Sequence, residues 1–140
     1  MRILFIIMSL IISGQANSAP LESLDAFTWS NRLILVYSGP EQAQRFRAQL
    51  QEADDEIVDR HIIWFLIGEQ QLLTNYRGDL SDSLKHRLIA DWFPDENKKP
   101  EIVLIGKDGY EKLRERRLDL GIIFGLIDTM PMRRQEMLIR

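Results

Sequence analysis

The chain has 140 residues and not one is cysteine. That absence excludes disulfides, thiolate nucleophiles, thiol–disulfide exchange and metal ligation through sulfur. It also excludes a lipid-modified cysteine as a membrane anchor. Histidine is scarce, with only His61 and His86. Two separated imidazoles among scattered carboxylates do not form a metal-ligand cluster, so no metal and no cofactor is expected. There are no internal repeats and no long linker. The longest apolar stretch, Ile3–Ile12, holds ten residues broken only by Ser9. As a helix it would span ~15 Å, half of a bilayer core, which is too short for a stable anchor.

That stretch has the pattern of an export signal. Arg2 precedes it, and the small or polar residues Ser13, Gly14, Ala16, Ser18 and Ala19 follow. The expectation is a signal peptide over 1–18, cleaved after Ala16 or after Ser18, and one domain over 19–140. The protein is thus expected in the periplasm or the extracellular space. Without disulfides such a domain is held by its core alone.

Charge is uneven. Residues 20–97 carry 7 basic and 14 acidic side chains; residues 98–140 carry 10 and 7. The C-terminal third can attract an acidic partner, or its charges can merely solvate a surface. Nothing resembles a nucleic-acid reader.

Arg32–Tyr37 is a continuous apolar run of strand length, the signature of a strand buried on both faces. Ser38-Gly39-Pro40-Glu41 follows. Ser38 with Glu41 three residues on reads as a capping box opening a helix to about Ala53, striped by Ala43, Phe46, Leu50 and Ala53. The acidic cluster Glu52, Asp54, Asp55 and Glu56 reads as a solvated loop. Arg60–Ile67 is a second buried strand, and 68–78 reads as loop. Arg77-Gly78-Asp79, an adhesion tripeptide, is short enough to arise by chance. Ser81 is read as the cap of a helix to about Trp92. Ile102–Ile105 and Tyr110–Arg114 form a hairpin across Gly106-Lys107-Asp108-Gly109. Asp119 caps a final helix carrying Ile123, Phe124 and Ile127; Pro131 ends or kinks it, and 132–137 forms a short helical tail. The order is β-α-β-α-β-β-α. It predicts an α/β fold: a four-stranded mixed sheet with helices on both faces.

This order resembles a thioredoxin core. Tyr37-Ser38-Gly39-Pro40-Glu41 stands where thioredoxins carry Trp-Cys-Gly-Pro-Cys, with Ser38 and Glu41 at the two sulfur positions. Pro100 precedes the third strand, where the resemblance implies a cis proline facing the site. Three stretches narrow the match: Trp29–Arg32, Leu104–Gly109 with Lys112–Arg114, and Leu126–Met137. Together they resemble the thioredoxin-like family catalogued as domain of unknown function 4174. The resemblance covers essentially the whole mature chain. It implies a peroxiredoxin-like fold and export, and it implies no reaction.

Three constellations are candidates for function. Ser38 at a helix start could serve as a nucleophile, but His61 is placed at the far end of the sheet and His86 on an exposed helix face. The same helix start, with Tyr37, Gly39, Pro40, Glu41 and Pro100 around it, could bind an anion or a peptide; Glu41 already supplies negative charge there. The basic set Lys107, Lys112, Arg114, Arg116, Arg117, Arg133 and Arg134 could meet an acidic partner, or Arg133 and Arg134 could clamp the domain itself. The leading reading is an exported non-redox module that binds a protein or peptide. The alternative is a thiol-independent oxidoreductase or a hydrolase using Ser38. A third is assembly through a Trp64 or Trp92 surface.

Overall fold

The computed structural model describes residues 18–139. All but the last residue of the expected signal peptide lies outside the described residues. No described helix is long and apolar enough to cross a membrane.

The first strand, β1 (Arg32–Tyr37), is buried at every position. Alternation along the strand sends Ile34 and Val36 to one core and Leu33, Leu35 and Tyr37 to another. This two-sided burial is why the run is continuously apolar. Helices α1 (Pro40–Glu52) and α2 (Asp54–Asp59) lead to β2 (Ile62–Ile67), which pairs parallel with β1 from Arg32↔Ile62 to Tyr37↔Ile67. Beyond β2 come β3 (Leu72–Thr74), α3 (Leu84–Trp92), β4 (Glu101–Ile105), β5 (Glu111–Glu115), α4 (Leu120–Asp128) and α5 (Pro131–Leu138). The sheet order is β3-β2-β1-β4-β5, with β3, β4 and β5 antiparallel to their neighbours. One core holds Phe46, Leu50 and Ile57 from α1 and α2 with Ile123 and Ile127 from α4. The other holds Phe27 with Leu84, Leu88 and Phe93 from α3 and its end. Helices therefore cover both faces, as the apolar stripes predict.

The sheet has five strands, not four. The extra strand, β3, lies in the stretch read as loop. It is three residues long, too short to show a period of two. Asn75 extends its pairing with a side chain: Oδ1 accepts from the Trp64 N–H at 2.8 Å, and Nδ2 donates to the Ile62 carbonyl at 3.1 Å. The acidic cluster is helical rather than loop: Glu52 ends α1, and Asp54, Asp55 and Glu56 open α2, whose Ile57 is driven wholly into the core. Trp64 is buried and offers no surface for assembly.

Two helix starts also differ from expectation. The N-cap of α1 is Gly39, with no side-chain cap bond. Pro40, with its preset φ and missing N–H, takes the first helical position. Ser38 is left outside the helix, and no capping box forms with Glu41. Helix α3 begins at Leu84; Ser81 instead closes the preceding turn, its Oγ accepting from the Ser83 N–H. Asp119 does cap α4, its carboxylate accepting from the Ile122 N–H at 3.1 Å.

Candidate functional site

Sheet register sets up two ends. At one, Tyr37 stands opposite Glu101, so Ser38 and Pro100 are neighbours. At the other, Leu33 stands opposite Ile105, and Arg32 opposite Ile62. That brings Arg32, His61 and Lys107 together, three residues far apart in sequence.

At the first end, Ser38 is wholly buried. Its N–H donates to the Ile67 carbonyl at 3.0 Å, and its Oγ donates to the Gly39 carbonyl at 2.7 Å. A hydroxyl so enclosed is not presented to a substrate. His61 belongs to the opposite end of the sheet, as the strand order predicted, and His86 is exposed on α3. Tyr37 packs on Phe93 with ring centroids 5.0 Å apart, and the Lys99 ammonium lies 4.4 Å from the Tyr37 ring centre. The Lys99–Pro100 peptide is cis. Concavities lie on either side of this segment. One, of about 550 Å³, is lined by Tyr37, Lys85, His86, Ile89, Phe93 and Lys99 among others. The other, of about 630 Å³, is lined by Gln42, Arg45, Phe46, Gln49, Pro100, Arg116, Arg117 and Leu118.

At the second end, charges are buried in pairs. The Arg32 guanidinium, 1 % exposed, donates to both Glu136 oxygens at 3.1 and 3.3 Å and to the Arg60 carbonyl. Lys107 Nζ donates to Glu136 at 2.6 Å and lies 2.9 Å from His61 Nδ1. Beside them, Arg133, also buried, donates to Asp128 at 3.0 Å and to Asp59 at 2.7 Å. Arg60 reaches the same Asp128 with two bonds, at 3.1 and 2.9 Å. Burial pushes the Glu136 carboxyl up, but hydrogen bonds from Arg32 and Lys107 outweigh it and hold it below the usual range. Hydrogen bonds from Arg60 and then Arg133 hold Asp128 down against burial. Burial, then the Lys107 charge, lowers His61. The ring is thus neutral at neutral pH, with Nδ1 free to accept from Lys107.

The basic set singled out in the sequence does not form one patch. Lys107 and Arg133 are consumed by the buried network. Lys112 pairs with Asp108 at 2.6 Å within its own hairpin. Arg114 pairs with Glu101 at 2.6 Å and Glu111 at 2.9 Å. Arg134 is exposed on α5. Arg133 therefore clamps the domain, one of the two readings weighed for it. Of the set, Arg116 and Arg117 are exposed as Arg134 is, and these two line one concavity with Arg45 from α1, a residue the sequence reading missed. Its only signal was a cation on the polar side of an amphipathic helix, which most surface helices share.

The three stretches that narrowed the resemblance converge on the buried network: Arg32 from the first, Lys107 from the second, Asp128, Arg133 and Glu136 from the third. Their distinctiveness is accounted for by tertiary clamping of α5 against the sheet.

A β-α-β unit followed by an antiparallel hairpin and a helix, with a cis proline beside the end of β1, defines a thioredoxin-like domain, and none of its residues is cysteine. More narrowly, the chain belongs to the family described as Domain of unknown function (DUF4174), whose profile matches residues 23–136. No match to a curated protein is found. Among solved structures the chain is similar to a thioredoxin-fold protein from Helicobacter pylori, at 12 % identity and a TM-score of 0.45, over 70 % of this chain and 67 % of that one.

Proposed function

We propose that the protein is an exported, non-redox thioredoxin-like module that binds an extended acidic segment of a partner protein along the Pro100 groove. The observation that carries this reading is the lining of the 630 Å³ concavity: Arg45, Arg116 and Arg117 stand around Pro100 and Phe46, and no lining residue is acidic. Elsewhere in the C-terminal third the buried and hairpin cations already have carboxylate partners, so this groove is where uncompensated positive charge meets a concave, partly apolar floor. Such a surface attracts an anionic segment and gives its apolar side chains somewhere to sit. Export is supported by Arg2, the Ile3–Ile12 run and the small residues after it. The hydrolase alternative has less behind it, since Ser38 is enclosed and its hydroxyl is occupied by the Gly39 carbonyl.

The test is fluorescence polarisation with two labelled octapeptides, one alternating Glu with Val and one alternating Lys with Val. The acidic peptide is expected to bind, to weaken as salt rises, and to lose binding in Arg116→Glu/Arg117→Glu. Equal binding of both peptides, or binding untouched by the charge reversal, overturns the reading. Crosslinked capture from the native envelope then names the partner.

A further inference from the structure

A further cavity lies between the turn at Leu24–Phe27, the start of β1, the end of β4 and α3. It measures about 330 Å³ and shares no lining residue with the Pro100 groove. Its floor is apolar, from the buried side chains of Leu33, Leu88 and Ile105. Trp92, half-buried at the end of α3, lines it as well. The charged residues of the lining are Asp25, Asp91 and Arg87.

The partners of these three decide what the cavity attracts. Arg87 and Asp91 stand four residues apart on α3, a spacing at which opposite charges commonly pair. They do not pair here. Arg87 donates instead to the Glu22 carbonyl at 2.8 Å. Among the described residues, neither the Asp91 carboxylate nor that of Asp25 has a hydrogen-bond or ion-pair partner. Two carboxylates against one guanidinium give the lining a net charge of −1. Its cation is tied to a backbone carbonyl, and its two anions are untied.

We propose that this cavity binds a small organic ammonium, an amine on an apolar stem. An ammonium is a donor only and an ionised carboxylate an acceptor only, so each satisfies the other. Trp92 adds an aromatic ring, whose face attracts a cation. Leu33, Leu88 and Ile105 give the apolar stem a place out of water. An anionic ligand would be repelled by the two aspartates, and a neutral one would leave their charges uncompensated. The volume lies near the lower end of the range for small-molecule sites. With no residue shared between this site and the Pro100 groove, either assignment stands if the other fails.

The experiment is isothermal titration of the protein at neutral pH with phenethylamine, with its neutral analogue 2-phenylethanol and with anionic phenylacetate. A capped Gly-Lys-Gly peptide offers the same ammonium as a protein would carry it. At least one of the two ammonium ligands is expected to bind saturably, about tenfold or more tighter than either analogue. Binding of phenethylamine marks a free amine as the source, and binding of the peptide alone marks a protein lysine; both support the proposal. Asp25→Asn and Asp91→Asn should each weaken the binding about tenfold, with the fold unchanged by circular dichroism. Arg116→Glu/Arg117→Glu should leave it unaltered. Absence of saturable binding by both ammonium ligands overturns the proposal. So does a neutral or anionic analogue that binds as tightly, or binding unaffected by both aspartate substitutions.

Discussion

Arg32 and Glu136 stand 104 residues apart in the chain and meet in a two-pronged ion pair, at 3.1 and 3.3 Å. Arg32 opens the first strand and Glu136 lies on the last helix, so this contact closes the domain from end to end. Lys107 adds a third charge on the same carboxylate.

Removing that carboxylate should be severe. Glu136→Ala leaves two buried cations facing a void, and breaking a buried pair in this way costs about 3–5 kcal/mol. Glu136→Gln keeps an acceptor and should lose less. Urea midpoints of the two variants against wild type check the order; a midpoint of Glu136→Ala within error of wild type would show that the network contributes nothing.

Stability should fall with acid in two stages. His61, lowered in the folded state, binds its proton later than in the unfolded chain, so its contribution is present above the ordinary value of 6.5 and is lost as pH falls below it. Glu136 and Asp128 are lowered too; their contributions are present above the ordinary 4.5 and 3.8 and are lost as pH falls through their depressed folded values. Urea midpoints from pH 8 to 3 should decline in both windows, and His61→Gln should remove the upper decline alone.

Asn75 acts as a surrogate for strand backbone on β2. Asn75→Ala leaves the Trp64 N–H and the Ile62 carbonyl unpaired at a partly buried edge, at a cost of about 1–3 kcal/mol. Hydrogen exchange should show the Trp64 amide losing protection, while Asn75→Asp, which keeps the acceptor, should preserve it.

Ser38 and Asp119 look like equivalent caps in the sequence and should behave differently. Asp119→Ala removes a real cap, costing about 1 kcal/mol and exposing the Ile122 amide to exchange. Ser38→Ala costs a similar ~1 kcal/mol through the bond to the Gly39 carbonyl, but amide protection in the first turn of α1 should not change. If it does change, Ser38 caps the helix after all.

Much of the architecture is legible in the sequence. Continuous apolarity marked β1 and β2 as two-sided strands, and Asp119 marked the start of α4. The errors have local physical causes. Pro40 moved a helix start past Ser38, Ile57 pulled an acidic stretch into a helix, and β3 was too short for its periodicity to register. The candidate site was less legible. The nearness of Pro100 to Tyr37 and Ser38 is implied by the resemblance to thioredoxins, and the pairing of Tyr37 with Glu101 has them adjacent. Arg45 was not found, because its place in the groove depends on how α1 packs beside Arg116 and Arg117.

Composition and periodicity act over a few residues, and they are enough to specify an α/β domain without cysteine and a two-sided central strand; the family follows from the resemblance of three longer stretches, not from them. The fate of the charges was beyond them. Whether a lysine or arginine is a surface cation or half of a buried pair depends on a carboxylate that arrives from elsewhere in the chain. Lys107 and Arg133 looked like members of a basic patch until Glu136, Asp59 and Asp128 were brought to them by folding. Arg116 and Arg117 looked no different, and are left with a groove instead.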